Sequence, residues 1–407
     1  MTTTDSTDEQ QGTLRDDGGR RLSIAMIGTR GVPARYGGFE TAVEEVGRRL
    51  AARGHAVRVY CRNGNSEERG EYAGMSLVTL PAVRHRALET LSHSGLSVMH
   101  LLTRRTDVAF VFNAANAPFL PAVRAARVPV ATHVDGLEWK RTKWSARGRS
   151  YYRWAEGAAV RRSDALIADA QGIADYYTEE FAAETRLIAY GAPIVEVGSD
   201  RLAELDLEPG RFHVAVARFE PENHVHLIVE GYVRSNATMP LVVVGSAPYT
   251  DDYTRQVHAA AGGDPRVRFL GGVWDQDLLD QLYANAATYL HGHSVGGTNP
   301  SLLRAIGAGT ATIAFDVSFN REVLGAAGWY FSDPGGAARH VEAAEAAPDE
   351  VARRGAALRQ RARDYSWDDV ADRYERLALD LADGRVPGKQ DGRRASESSR
   401  TRQKVSR

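Results

Sequence analysis

The stretch His291-Gly-His-Ser-Val-Gly-Gly-Thr-Asn-Pro-Ser-Leu-Leu-Arg304-Ala-Ile-Gly-Ala-Gly-Thr310 closes a short apolar run, Thr288–His291, and passes through glycines into a helical pattern. A buried strand, a polar glycine-rich loop and a helix in that order aim backbone N–H groups and the positive helix end at one spot. The natural guest is a phosphate. Near the N-terminus, Ile24-Ala-Met-Ile-Gly28-Thr-Arg30-Gly31-Val-Pro-Ala-Arg-Tyr36-Gly37-Gly38-Phe-Glu40-Thr41 repeats the order of strand, glycine loop and helix. Two such devices predict an α/β chain of two Rossmann-like, doubly wound domains facing across a cleft and sharing one diphosphate ligand.

Working outward, apolar runs of strand length alternate with helical patterns, the signature of parallel sheets built from βαβ units. The first series is expected at Ser23–Gly28, Ala56–Cys61, Ser76–Pro81, Asp107–Asn113, Val128–Val134, Ala165–Asp169 and Arg186–Tyr190. A second series is expected at Phe212–Ala217, Leu241–Gly245, Val267–Leu270, Thr288–His291 and Ala311–Phe315. Periodicity lapses over Ala192–Gly210, so the domains are drawn as 22–195 and 196–383. The polar segment 1–21 and the basic segment 384–407 have little to bury and are expected to be disordered tails.

At 407 residues the chain is long enough for two cores. Its formal net charge of -1 gives no global electrostatic case for nucleic acid. The single Cys61 cannot form an internal disulfide, and no apolar run reaches the ~18 residues of a membrane span. These features predict a cytoplasmic protein whose membrane contact, if any, is peripheral. The basic tail and the moderately apolar stretch between Arg84 and Arg105 are the two segments suited to an anionic membrane face, with core packing the alternative for the latter.

The Gly28–Glu40 loop matches neither G-x-G-x-x-G nor a Walker loop, which disfavours a nicotinamide enzyme. Gly37 and Gly38 precede a helix and suit a close approach to an anion, and Arg30 lies in the same loop. Arg218 follows the buried run Val214-Ala-Val-Ala, where its guanidinium suits bidentate phosphate contact or a surface pair with Glu220 or Glu222. Gly245 ends the next strand. The segment Thr132-His133-Val-Asp135-Gly-Leu-Glu138-Trp139-Lys140-Arg141-Thr-Lys143-Trp144 gathers carboxylates, cations and indoles, which suit sugar hydroxyls, an acceptor phosphate and sugar rings respectively. Asp275-Gln-Asp277 reads as a helix cap rather than a metal motif, and His291 with His293 lacks an evident third ligand, so no metal is expected.

Four of these motifs in order resemble the GT-B retaining glycosyltransferases of the family 4 type, within them the bacterial rhamnosyltransferase-like group. They are Ile27–Thr41, Asp135–Trp144, Ala217–Asn223 and His291–Leu303, and the resemblance spans about residues 22 to 380. Tyr365-Ser-Trp367-Asp-Asp-Val370 is similar to the start of that family's last helix, which returns to the first domain.

The resemblance implies a nucleoside-diphosphate sugar held by the second domain, a glycan or lipid-linked acceptor held by the first, and retention at the anomeric carbon without metal or cofactor. It assigns His133, Asp135 and Glu138 to catalysis. Arg30, Gly37, Gly38, Arg218, Gly245, Gly296, Gly297, Thr298, Asn299, Ser301, Leu302 and Arg304 fall to the donor. Tyr36, Glu40, Trp139, Lys140, Arg141, Lys143 and Trp144 fall to the acceptor. The expected reaction transfers a sugar, rhamnose by resemblance, to a cell-envelope or exopolysaccharide glycan.

Two features depart from the family. Asn223 stands where relatives commonly have Lys, and Arg30 is the cation that would replace it. Gly296 and Arg304 stand where many members carry paired glutamates, and arginine has no acceptor atom for a ribose hydroxyl. The rival readings are a nucleotide-sugar-binding protein of this fold without catalysis, and a GT-B-fold sugar epimerase.

Overall fold

The computed structural model describes residues 20–34, 37–64, 68, 70–83, 88–134, 136–246 and 251–386. Among them two sheets form. The first contains β1 (Ser23–Ile27), β2 (Ala56–Arg62), β3 (Glu71–Tyr72), β4 (Met75–Leu80), β5 (Val108–Phe112), β6 (Val130–His133), β7 (Ala165–Ala168) and β8 (Arg186–Leu187). Its order is β3-β4-β2-β1-β5-β6-β7-β8, parallel except for the β3–β4 pair. The second contains β9 (His213–Val216), β10 (Leu241–Val244), β11 (Val267–Gly271), β12 (Thr288–His291), β13 (Thr312–Phe315) and β14 (Trp329–Phe331), all parallel, in the order β11-β10-β9-β12-β13-β14. The chain is thus two Rossmann-like α/β domains.

All twelve expected strands lie where the apolar runs place them. β5 explains why: Val-Ala-Phe-Val-Phe is buried at every position, because helices cover both faces and the sequence loses its alternation. The strands β3 and β14 escape a pattern-based reading because two or three residues carry no period. The helix Gly38–Ala52 turns Ala42, Val43, Val46, Gly47 and Leu50 inward, a stripe of helical spacing.

In each sheet the strand order reverses once, between β1 and β5 and between β9 and β12. At such a switch point the neighbouring loops leave in opposite directions and open a crevice beyond the carboxyl ends. The loops that leave β1, β9 and β12 begin at Gly28, Ala217 and Gly292, so the glycine-rich stretches flank both crevices.

The last helix, Trp367–Ala382, starts at Ser366, whose side chain accepts from the N–H groups of Asp368 and Asp369. It packs on the helix Gly38–Ala52 of the first domain. Arg49–Asp368, Arg53–Asp372 and Arg53–Glu375 each pair at 2.6 Å, and His55 Nε2 lies 2.8 Å from Glu375. The exposed pairs among them contribute little each. The buried face of Trp367, Val370, Tyr374, Leu377 and Leu381 carries most of the attachment.

Most of the tails, residues 1–19 and 387–407, lies outside the described residues, as do the disorder and lipid readings made for them. No described helix is long and apolar enough to cross a membrane.

Candidate functional site

The two switch points face each other, and the domains touch where the loops after β6, β7 and β12 meet. A Cβ on Gly136 would land on the backbone of Gly296, and one on Gly297 would land on the Asp169 carboxylate. Thr298 donates its hydroxyl to the Asp169 carbonyl. Small residues here serve the approach of two domains. Thr298, expected at the donor, is buried with its hydroxyl spent on this contact.

On the second domain, the β12 loop is tied to the turn after β9. Ser294 donates N–H and O–H to the Glu222 carbonyl at 2.9 and 3.0 Å, and His224 Nδ1 lies 2.8 Å from the Gly292 carbonyl. Asn223 is buried and donates to the Arg218 carbonyl at 2.9 Å, so it braces the turn that presents Arg218. The Arg218 guanidinium, half exposed, lies 3.3 Å from Glu220. Gly245 leaves β10 where a Cβ would land on the Ala217 carbonyl.

The start of the helix Pro300–Ala308 is capped from within the chain. Asn299 accepts from Ser301 N–H at 3.0 Å and from the Ser301 hydroxyl at 2.7 Å, and Tyr289 donates to Ser301 at 3.0 Å. The Leu302 side chain is fully buried in the core, so only its backbone N–H could address a donor. Arg304 is ion-paired with Asp280 of the preceding helix, a partner that no local pattern announces. Asp275 accepts from the N–H groups of Asp277 and Leu278, the cap that its spacing implies.

On the first domain, the loop after β1 is held by carboxylates of the helix Gly38–Ala52. Glu40 accepts from Arg30 N–H at 2.9 Å, which ties the loop to the helix. Gly37 starts the helix at φ +111°, and no described side chain caps it. Gly38 lies against Tyr190 and Pro300, the latter from the other domain.

His133 ends β6 fully buried among the rings of Phe39, Phe112, Tyr190 and Tyr374. Its Nδ1 lies 2.8 Å from the Tyr374 hydroxyl of the last helix, while Nε2 has no hydrogen-bond partner. Burial pushes its pKa down to about 3, so the ring is neutral at physiological pH. Asp135 and Tyr36 lie outside the described residues.

The segment after Asp135 departs most from expectation. Glu138 takes ion pairs from Arg141 and Lys143, both at 2.6 Å, and a hydrogen bond from Trp144 Nε1 at 3.1 Å. Burial works to raise its pKa, but the two cations win and hold it below the usual range. A carboxylate so committed is a poor base, which corrects its catalytic assignment.

Arg141 reaches across to Glu220 and Glu222 at 3.2 and 3.4 Å, and Thr142 donates to Glu222 at 3.1 Å. It is an interdomain clamp rather than an acceptor ligand. Cations also cover both indoles: Lys140 and Arg153 lie 5.6 and 5.0 Å from the Trp139 ring, and Lys143 lies 5.1 Å from that of Trp144. Their faces are taken from within the chain.

Two site residues went unmarked in the sequence. Asp169 follows β7, and its position past a buried strand was a usable signal. Tyr374 reaches His133 from 241 residues away, which no local pattern encodes.

Residues 37–191 match the Glycosyl transferase 4-like domain, and residues 211–346 match the domain of Glycosyl transferases group 1. The O-antigen chain mannosyltransferase B of Escherichia coli is 25% identical over 160 residues, which cover 38% of this chain and 38% of that protein. The chain therefore aligns with well under half of this relative's length. Among solved structures, sucrose-phosphate synthase from Thermosynechococcus elongatus superposes with a TM-score of 0.77 at 19% identity, covering 89% of this chain and 100% of that one. Anabaena Alr3699/HepE, solved in complex with UDP, gives 0.70 at 15% identity, with 88% and 99% covered.

Proposed function

We infer, from a chain that belongs to the glycosyltransferases of GT-B fold, that it moves a sugar from a nucleoside-diphosphate donor onto a cell-envelope or exopolysaccharide glycan. The carrying observation is that the two switch-point crevices oppose each other across a seam, Gly136 against Gly296, with Arg30 on one side and Arg218 on the other. A diphosphate between them would be neutralised by guanidinium groups and by the uncapped start of the helix Gly38–Ala52. On this reading the reaction needs neither metal nor cofactor.

Retention, and rhamnose as the sugar, rest on the four motifs that resemble the rhamnosyltransferase-like group. The bond from the anomeric carbon to the acceptor oxygen would form on the face that the diphosphate leaves, and the acceptor proton would pass to a departing phosphate oxygen. The protein supplies position and charge rather than a nucleophile. Neutral His133, with Nε2 open, is suited to a sugar hydroxyl.

The protein would work at the cytoplasmic face of a membrane, without nucleic acid. Supporting this, the helix Glu89–Thr103 and its approach leave Leu88 49%, Leu96 36%, Met99 64% and Leu102 39% exposed, next to exposed Arg104 and Arg105. Incubating the protein with a panel of nucleotide sugars, with and without membrane-extracted acceptor and with EDTA, tests the reading. Acceptor-dependent release of nucleoside diphosphate is expected. Donor binding without release would instead mark a protein that has lost catalysis, and interconversion of the sugar an epimerase.

A further inference from the structure

Between the end of β2 and the helix Glu89–Thr103, three buried side chains carry polar atoms without hydrogen-bond partners among the described residues. They are Arg62 Nε, both ring nitrogens of His93 and the Ser94 hydroxyl. Arg62 is 7% exposed, Ser94 1% and His93 0%. Arg62 ends β2 at the carboxyl edge of the sheet, beside the β1 loop, and its backbone N–H donates to the Arg30 carbonyl at 2.8 Å. Its guanidinium reaches the first turn of the helix Glu89–Thr103, donating to Thr90 at 3.0 Å and lying 3.3 Å from Glu89.

His93 and Ser94 sit one turn further along, where the His93 ring feels the Arg62 charge. The Cys61 backbone also lies near that ring, short of hydrogen-bonding geometry. No described side chain caps the helix.

Buried donors left open are costly, and one tetrahedral oxyanion fills several of them together. The second guanidinium, Arg30, opposes the charge of Arg62, while Glu89 and Glu40 support it. Glu40 is already committed to Arg30 N–H, and Glu89 makes one long contact. Arg62 Nε–H and the Ser94 hydroxyl are thus left without an acceptor among the described residues.

We propose that Arg62, His93, Ser94 and the uncapped first turn of the helix Glu89–Thr103 bind a phosphate group carried by the acceptor. The assignment to an acceptor rests on the glycosyltransferase reading, in which the first domain receives it. The same chemistry is offered by a lipid phosphate and by a sugar phosphate. Arg62 supplies charge-assisted N–H bonds, and the neutral imidazole and the hydroxyl add directional donors.

Calorimetric titration of the full chain with inorganic phosphate, its donor site first saturated with nucleoside diphosphate, tests this. Binding should weaken about tenfold or more in Arg62→Lys and Arg62→Gln, the size of one charge-assisted bond, with nucleoside diphosphate affinity unchanged. Unaltered phosphate binding in both variants overturns the proposal, as does an equal loss of nucleoside diphosphate binding. His93→Gln, which keeps a donor, should retain more affinity than His93→Phe; equality overturns the imidazole's part. Competition by farnesyl phosphate or by a hexose phosphate identifies the source, and failure of both removes the acceptor assignment. Donor turnover by the wild-type chain reports separately on the glycosyltransferase reading, because it does not need this subsite.

Discussion

The Arg141 guanidinium lies 3.4 Å from the Glu222 carboxylate, a contact between the first domain and the turn that presents Arg218 in the second. Arg141 also pairs with Glu138, so one cation serves carboxylates on both sides of the cleft. Removing it leaves the nearly buried Glu138 and Glu222 short of compensation, and breaking such a pair costs about 3–5 kcal/mol. Arg141→Met should therefore lower the urea midpoint clearly. A double-mutant cycle with Glu222→Gln should give a coupling of at least about 0.5 kcal/mol; additivity would mean that the clamp carries no energy.

At Gly136 the seam has no room for a methyl group, which would land on the Gly296 backbone. Gly136→Ala should hold the domains apart and misplace donor against acceptor, at a cost on the order of 10²-fold in turnover. Stability should change little, since each core is untouched. Turnover within twofold of wild type would show that the contact is dispensable.

Arg304 and Asp280 form a pair that is mostly shielded from solvent. Arg304→Glu alone would set two carboxylates against each other and should lower the melting temperature, masking any gain in nucleotide affinity. Adding Asp280→Lys should restore stability and let the new carboxylate take a ribose hydroxyl, tightening nucleoside diphosphate binding by about 1 kcal/mol. If the double variant binds no better, position 304 does not face the ribose.

Acid should destabilise the protein through its buried histidines. Burial pushes His133 and His291 down to about 3 and His93 to about 4. Each folded pKa lies below the unfolded value near 6.5, so the unfolded chain takes up protons first. The stability is complete above about pH 6.5 and is lost as the pH falls from there towards 3, about 2 kcal/mol per histidine at pH 5. Urea midpoints between pH 7.5 and 5 should fall steeply, and His291→Gln should flatten the slope; an unchanged slope would acquit that residue.

The exposed ridge of the helix Glu89–Thr103 predicts adsorption to lipid. Wild-type protein should sediment with vesicles rich in anionic phospholipid, less so at high salt. Met99→Glu with Leu102→Glu should abolish sedimentation while leaving nucleotide binding intact. Equal sedimentation of both proteins would assign membrane attachment elsewhere.

Strand positions were legible because parallel strands covered on both faces write continuous apolar runs, as Val108–Phe112 does. The crevice loops were legible because glycine and proline punctuate them. What each charged side chain does was not. Glu138, Arg141 and Lys143 look like a ligand-binding cluster in one dimension, yet in space they neutralise one another and a turn some eighty residues away. The Arg304–Asp280 and His133–Tyr374 contacts depend on the folded arrangement, which local pattern does not carry.

The placement of Tyr374 over His133 has a temporal meaning. The first domain leaves the ribosome first, yet the helix that covers Phe110 and His133 is synthesised only after the strands of the second domain. Through most of translation that side of the nascent domain stays open, and its catalytic histidine candidate lacks the hydroxyl that orients it. Completion of the first domain thus becomes a checkpoint on synthesis of the second: a product terminated before this helix would display an unfinished apolar surface, the kind of exposure that marks a chain for chaperones and proteases.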